Sequence, residues 1–386
     1  MTTHVYDVVI VGAGIVGAAL ALSLRDSGLS LALVEPQAPT VPETDWDSRI
    51  YAIGPGSAAF LQSMGVWQKF DASRIGPVYG MEIRGDNGAL LSFDAYREGL
   101  PQLAWIMESN RIQHGLWTAL QQQSDATVFS ARTRQLSWSA AAGHLQLDDG
   151  VEIAAKLIVA ADGGQSWVRS QAGIGSRCEP YRQYGIVANF AVERPHGGIA
   201  RQWFREDGVL AWLPLPDRHI SIVWGTDDAH TQALLAANPQ EFADEVARAG
   251  NRILGELRQT GVTAAFPLSI NRVAALVKPR LALIGDAAHS VHPLAGQGVN
   301  LGLRDAQSLS RVLLGRGDAD CGDLALLRRY ERSRVGDIAA IQAVTDGLHH
   351  LFRHRHPWVG KLRNAGMDWT NRIGPLKSLL IRQALG

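Results

Sequence analysis

Gly12, Gly14 and Gly17 stand at the spacing Gly-x-Gly-x-x-Gly, with Ile15 and Val16 between the last two and Glu35 eighteen residues further on. Glycines at this spacing let backbone N–H groups close on a pyrophosphate at a helix N-terminus. An acid at the end of the following strand accepts hydrogen bonds from ribose hydroxyls. The pattern reads as dinucleotide binding, and Glu35 alone does not separate FAD from NAD. A second acid, Asp286, lies in Gly285-Asp286-Ala-Ala-His289 after the apolar run Leu281–Ile284, far outside that first unit. Two distant acidic strand ends suit the two riboses of one extended dinucleotide, which favours FAD.

Two further clusters carry backbone chemistry. Gly296-Gln297-Gly298-Val299-Asn300 leaves backbone exposed just before a helical pattern. A helix N-terminus carries about half a positive charge, which against the pyrimidine edge of a flavin would stabilise the reduced ring. Asp162, in Ala161-Asp162-Gly163-Gly164, ends a third apolar run. It is either a helix cap or a support for the cofactor or a transient nicotinamide nucleotide. Arg49 and Arg111 flank apolar helical runs and are either surface charges or bidentate partners of a pyrophosphate.

The elements that must position these residues follow from periodicity. Val5–Val11 and Leu29–Val34 read as buried strands around a helix that Gly28 ends, one βαβ unit of a parallel sheet. Lys156–Ala160 and Arg280–Ile284 are strands of the same kind. Between them lie short, Trp-rich segments (Ile186–Ala191, Arg201–Phe204, Leu210–Leu213, Ile220–Trp224) that read as an antiparallel sheet. Asp228–Arg258, Val299–Leu314 and Leu324–Phe352 read as helical. The fold class is therefore α/β. A Rossmann-like FAD-binding domain (1–72, 101–175, 271–345) is interrupted by an antiparallel substrate domain (73–100, 176–270), and a basic helical tail (346–386) follows.

The 386 residues hold 37 Lys+Arg and 37 Asp+Glu, so no global field favours nucleic acid. Cys178 and Cys321 offer neither a disulfide framework nor a zinc pair, and no metal-ligand cluster is evident; a reducing compartment fits. Val8–Leu24 carries no charge, but no basic residue precedes it and Asp7 and Arg25 close it, against a signal or membrane span. The expectation is a soluble protein, or one lying on a membrane. From Leu351 to Gly386 seven Lys+Arg face one acid among Trp and Leu residues. Such a segment suits either an anionic membrane or partner, or a helix packed on the FAD domain.

Taken together, these clusters resemble the flavoprotein aromatic hydroxylases of the para-hydroxybenzoate hydroxylase type, over nearly the whole chain. More narrowly, His292-Pro-Leu-Ala-Gly-Gln-Gly-Val-Asn-Leu-Gly-Leu-Arg-Asp305 resembles the signature of the ubiquinone-biosynthesis hydroxylase family. The resemblance implies that Gly12, Gly14, Gly17 and Glu35 bind the ADP half of FAD and that Arg49 and Arg111 lie near the cofactor. It implies that Asp286 holds the ribose or ribityl region and that Asp162 serves FAD and NAD(P)H. Pro293 to Asn300 would line the isoalloxazine, with Pro293 and Gly296 facing the reacting edge. Such enzymes reduce FAD with NAD(P)H and form a flavin C4a-hydroperoxide with O₂, which hydroxylates an electron-rich phenol. The substrate would be a polyprenylated phenol.

Tyr181, Tyr184, Trp203, Trp212 and Trp224 are candidates to line its pocket, or else core. His219 and His289 are candidate pocket acids or bases. Other pathway proteins and the inner membrane surface are candidate partners of a cytoplasmic enzyme. A halogenase would carry a Trp-x-Trp-x-Ile-Pro segment, which Ala211-Trp-Leu-Pro-Leu-Pro216 does not match. A prenyl reductase or a non-catalytic FAD scaffold remain alternatives, separated by oxygen incorporation and by phenol-stimulated NADPH oxidation.

Overall fold

The run Val8-Val9-Ile10-Val11 is buried on both faces, as a strand interior to a parallel sheet must be. In the computed structural model, which describes residues 3–40, 45–85, 89–291 and 296–353, it ends the strand Thr3–Val11. Leu31–Val34 lies parallel on one side and Glu152–Ala160 on the other. Leu281–Leu283 extends the sheet beyond Glu152–Ala160, and Thr127–Phe129 extends it beyond Leu31–Val34, both parallel.

Helix Ile15–Ser23 is buried almost all round, with Ala18, Ala19, Leu20, Ala21 and Leu22 inside the main core. Helix Gly298–Leu314 packs beside it, and helix Leu324–Arg353 packs on Gly298–Leu314 in turn. Small residues set the spacing. Val16 lies against both Gly285 and Gly302: a Cβ on Gly302 would stand 2.6 Å from Val16 Cγ2, and one on Gly285 3.3 Å from it.

The second sheet runs in the order His289–Ser290, Leu257–Val273, Ser176–Val192, His219–Thr226, Gly208–Leu215, Ile199–Arg205, Gly80–Arg84, Leu90–Asp94. Its long strands pair antiparallel, but Gly80–Arg84 joins Ile199–Arg205 in parallel. The stretch expected as helical over Asp228–Arg258 holds two helices, Asp228–Ala236 and Pro239–Ala249, and gives way to a strand from Leu257. Asn238 breaks it by forming a capping box with Glu241, with Pro239 at the first helical position. These helices cover one face of the sheet. Against the other face stands a small sheet of Ile50–Ile53, Ala104–Glu108 and Gly76–Val78. Among the described residues no helix is long and apolar enough to cross a membrane.

Candidate functional site

The parallel sheet gathers the sequence clusters at one edge. Val11 is in register with both Val34 and Ala160, and Ala160 with Leu283. The Gly12 loop, Glu35, Asp162 and Asp286 therefore leave the carboxyl ends of neighbouring strands, where open α/β sheets bind ligands. Backbone bonds lock these exits together: Gly12 N–H to Val34 O (2.9 Å), Ala161 N–H to Val11 O (2.8 Å) and Ile284 N–H to Ala160 O (3.0 Å).

The three glycines do different work. Gly12 has φ +98°, and a Cβ there would collide with the Ala161 carbonyl oxygen. A Cβ on Gly17 would collide with the Gly12 carbonyl oxygen, so Gly17 lets the helix sit on the loop. At Gly14 no described atom beyond the chain neighbours lies within 4 Å of a Cβ position. Gly14 caps helix Ile15–Ser23 with no side-chain hydrogen bond. Open space over an uncapped helix N-terminus is what a pyrophosphate needs.

Around that cradle the polar groups also fit FAD. Glu35 accepts a hydrogen bond from Ala13 N–H at 2.8 Å, which aims its carboxylate back over the loop. Beyond it lies an open surface depression of about 290 Å³ lined by Pro36, Gln37, Ser130, Ala131, Arg132 and Asp148. Asp162 Oδ2 accepts from Val168 N–H at 3.0 Å, so the cap reading describes one oxygen. Its other oxygen is buried with no partner among the described residues. Asp286 is exposed on the turn Gly285–Ala287.

Arg49 is exposed and lies 5.7 Å from the Tyr51 ring centre. Burial pushes the Tyr51 phenol up; the Asp286 charge adds to this and Arg49 opposes it, which places all three within electrostatic reach. Arg111 is instead held by Glu108, Nε to Oε2 at 2.8 Å. Glu108 has a fully buried side chain and also accepts from Arg74 at 2.7 and 2.8 Å and from Asp47 N–H at 2.8 Å. Sequence reasoning missed Glu108 and Arg74. An acid beside Ser109 in front of a helical run was the available signal.

Gly296 has φ +59° and approaches Ala52, whose Cβ would lie 3.4 Å from a Cβ on Gly296. Helix Gly298–Leu314 starts without a side-chain cap. Asn300 is buried and its amide is committed to backbone: Oδ1 accepts from Gly54 N–H at 2.9 Å, and Nδ2 donates to Ala52 O at 2.8 Å. It ties the segment 52–54 to this helix, and Val299 is buried beside it. Pro293 lies outside the described residues.

His289 is not a pocket base: it is buried, with Nε2 2.6 Å from Asp305 Oδ2. Asp305 also accepts from Gly285 N–H and Arg334 Nε. Burial alone would raise its carboxyl, but His289 and Arg334 hold it below the usual range. Arg169, likewise unforeseen, is buried and donates to Ala287 O (2.8 Å) and Gly164 O (2.9 Å), joining the Asp286 turn to the Asp162 loop.

The tryptophan expectation is corrected. Trp203, Trp212 and Trp224 belong to the core between the sheet and helices Asp228–Ala236 and Pro239–Ala249, together with Phe242 and Val246. Successive strand residues face opposite sides, and these three fall on the helix-covered side. Tyr181 packs with Leu268 and Ile270 and bonds Asp346 at 3.1 Å. Tyr184 is partly buried on the same strand, opposite Thr226 and Pro267.

Comparison with known proteins agrees with this geometry. The family model described as FAD binding domain matches residues 5–345. The chain is 35% identical over 398 residues to the 3-demethoxyubiquinol 3-hydroxylase of Escherichia coli (strain K12), covering all of both chains. It is 34% identical to the ubiquinone hydroxylase UbiL of Rhodospirillum rubrum, over 99% of this chain and 90% of that one. Its fold matches the crystal structure of p-nitrophenol 4-monooxygenase PnpA from Pseudomonas putida DLL-E4 with a TM-score of 0.80 at 19% identity, over 100% of this chain and 99% of that one. The chain belongs to the FAD-dependent hydroxylase family of ubiquinone biosynthesis, within the FAD-binding monooxygenases.

Proposed function

We propose that this enzyme hydroxylates the aromatic ring of a polyprenylated phenol in ubiquinone biosynthesis, using FAD, NAD(P)H and O₂. The observation that carries the reading is the end-to-end similarity to the Escherichia coli 3-demethoxyubiquinol 3-hydroxylase, on a chain whose strand ends form a dinucleotide cradle. When bound, FAD supplies the redox and oxygen chemistry.

The chain's own residues bind and orient. The uncapped N–H groups after Gly14 would hold the pyrophosphate, Glu35 and Asp286 the sugar hydroxyls, and Asp162 the buried polar edge beside them. Gly296 and the start of helix Gly298–Leu314 would approach the ring, where the helix N-terminus favours negative charge. The apolar cluster of Ile106, Leu103, Val78 and Leu215, with Ala52 against it, would keep water from the reacting edge. The enzyme would work from the cytoplasm at the inner membrane face, where a prenylated substrate resides, with Leu351–Gly386, of which 354–386 lie outside the described residues, as the docking segment and other pathway enzymes as neighbours.

The test is quinone-intermediate profiling in cells lacking the gene, together with ¹⁸O₂ labelling of the product of the purified enzyme. One labelled oxygen on the ring is expected. A product without labelled oxygen would point to reductase chemistry instead.

A further inference from the structure

The face of the antiparallel sheet opposite the tryptophans carries three polar side chains side by side. Asn189 lies directly across from Ser221 on one neighbouring strand and from Thr260 on the other, so all three point to the same side. Asn189 and Ser221 are 1% and 0% exposed. Asn189 Oδ1, Ser221 Oγ and Thr260 Oγ1 are each buried with no hydrogen-bond partner among the described residues. Buried polar groups are nearly always satisfied, so three adjacent orphans on one face call for a polar partner.

Their surroundings tie this group to the segment that leads into the strand Ile50–Ile53. Asn189 Nδ2 donates to Asp47 O at 3.0 Å, and Asp47 leads directly into Arg49 and the strand Ile50–Ile53. Across from Ser221 on its other side stands Leu213, which packs in the cluster with Trp46, Ile50 and Ala52. Ala52 is the residue that Gly296 approaches. One acceptor and two hydroxyls thus lie under the Trp46–Asp47 backbone, beside the apolar cluster that holds Leu213 and next to the segment that meets the Gly296 loop. An aromatic ring bearing adjacent oxygen substituents has the complementary chemistry: a ring hydroxyl donates to Asn189 Oδ1, and hydroxyl or methoxyl oxygens accept from Ser221 and Thr260.

We propose that Asn189, Ser221 and Thr260 are specificity-determining residues that hold the oxygen substituents of the phenol ring and so decide which ring carbon is presented for hydroxylation. This rests on the hydroxylase reading above. Ser221 and Thr260 are the residues to change, because Asn189 also supports the Trp46–Asp47 backbone. A site built to hydrogen-bond a substituent rejects a ring lacking it, because its own polar groups are left unpaired.

The experiment uses the FAD-loaded enzyme and two phenols carrying one isoprene unit, one with an ortho-methoxyl group and one without. Binding is followed by tryptophan fluorescence, and turnover by NAD(P)H oxidation and product regiochemistry. The wild type is expected to favour the methoxylated ring by about ten- to a hundredfold in kcat/KM. The Ser221→Ala/Thr260→Val double variant should lose that preference and give mixed ring positions, with FAD content and melting temperature unchanged or slightly raised. A double variant that keeps the wild-type ratio and product would overturn the assignment, as would a wild type without preference. A fall in melting temperature with the ratio intact would show that the cluster holds a structural water only. A wild type that oxidises no NAD(P)H with either phenol and binds neither would instead count against the hydroxylase reading itself.

Discussion

The carboxylate of Asp305 accepts a hydrogen bond from the backbone N–H of Gly285 at 2.9 Å. That bond reaches from the middle of helix Gly298–Leu314 to the turn that carries Asp286. The same oxygen meets His289 Nε2 at 2.6 Å, and the other accepts from Arg334 Nε at 2.8 Å. A fully buried carboxylate thus fixes the turn whose next residue, Asp286, stands exposed at the carboxyl edge of the parallel sheet.

Asp305→Asn should therefore destabilise the fold by about 3 kcal/mol, the cost of removing one partner of a buried ion pair. Arg334 keeps Asp337 at 2.6 Å, which holds the loss near the low end of that class. The pH dependence has a definite sign. Burial raises the Asp305 carboxyl, but His289 and Arg334 outweigh it, so the folded value lies below the ordinary 3.8. The stabilisation is then complete above about pH 5 and fades as pH falls through 3.8 towards the folded value. Urea melts of both proteins at pH 7, 5 and 3.5 check this: the gap between them should narrow only in the most acid series.

Gly14 and Gly17 should separate cofactor binding from folding. Gly14 has φ −63° and open space at its Cβ position, so Gly14→Val should fold with little loss but purify without the yellow colour of bound FAD. Gly17→Val drives its side chain into the Gly12 carbonyl and should lower the yield of folded protein instead. Circular dichroism and the flavin spectrum of the two variants, compared side by side, decide this. A flavin spectrum surviving in Gly14→Val would remove the loop from the site.

Why the sequence disclosed some of this and not the rest is a matter of periodicity and of scale. The parallel strands carry apolar runs such as Val8–Val11 and Leu31–Val34, and glycine spacing reports backbone contacts only a few residues away, so both were legible. Trp203, Trp212 and Trp224 were not. Their sheet is buried on both faces, so alternation does not distinguish the helix-covered side from the side carrying Asn189 and Ser221. Glu108, Arg169 and the role of Asp305, which the signature names only as its last residue, escaped for a different reason. Each acts through partners distant in sequence, such as Ala287 for Arg169, and one sequence does not encode which distant groups meet. Asn300 lay inside a legible motif, yet its amide binds Gly54 and Ala52 backbone, a role that the motif does not spell out.

Asp286→Ala should weaken FAD without unfolding the chain. The side chain is exposed, and the turn is held by Asp305 and Arg169 rather than by Asp286 itself. Losing one charge-assisted hydrogen bond costs about 1.5–3 kcal/mol, roughly ten- to a hundredfold in affinity. FAD titration by fluorescence quenching gives the affinity, and a thermal melt of the FAD-free protein gives the stability. Unchanged affinity with a collapsed melt would make Asp286 a turn residue only.

The two cysteines offer a reporter of how the cofactor grips the sheet. Cys178 is exposed on strand Ser176–Val192. Cys321 is buried, and its Sγ donates to the Asp7 carbonyl at 3.3 Å, on the strand whose far end becomes the Gly12 loop. Burial first, and then the charges of Asp320 and Asp7, push the Cys321 thiol up to about 11. At pH 8 its thiolate fraction is on the order of a thousandth, and the sulfur is also shielded. An aromatic disulfide reagent should therefore label Cys178 within seconds and leave Cys321 until the sheet opens. In denaturant both should react. FAD binds the closed sheet and not the opened one, so saturating FAD should slow Cys321 labelling by a factor close to one plus the ratio of free FAD to its dissociation constant. Cys178 should be unaffected and serves as the internal control. Cys321 labelling at the same rate with and without FAD would show that the cofactor does not stabilise the Thr3–Val11 strand, and the cradle at its carboxyl end would have to be placed elsewhere.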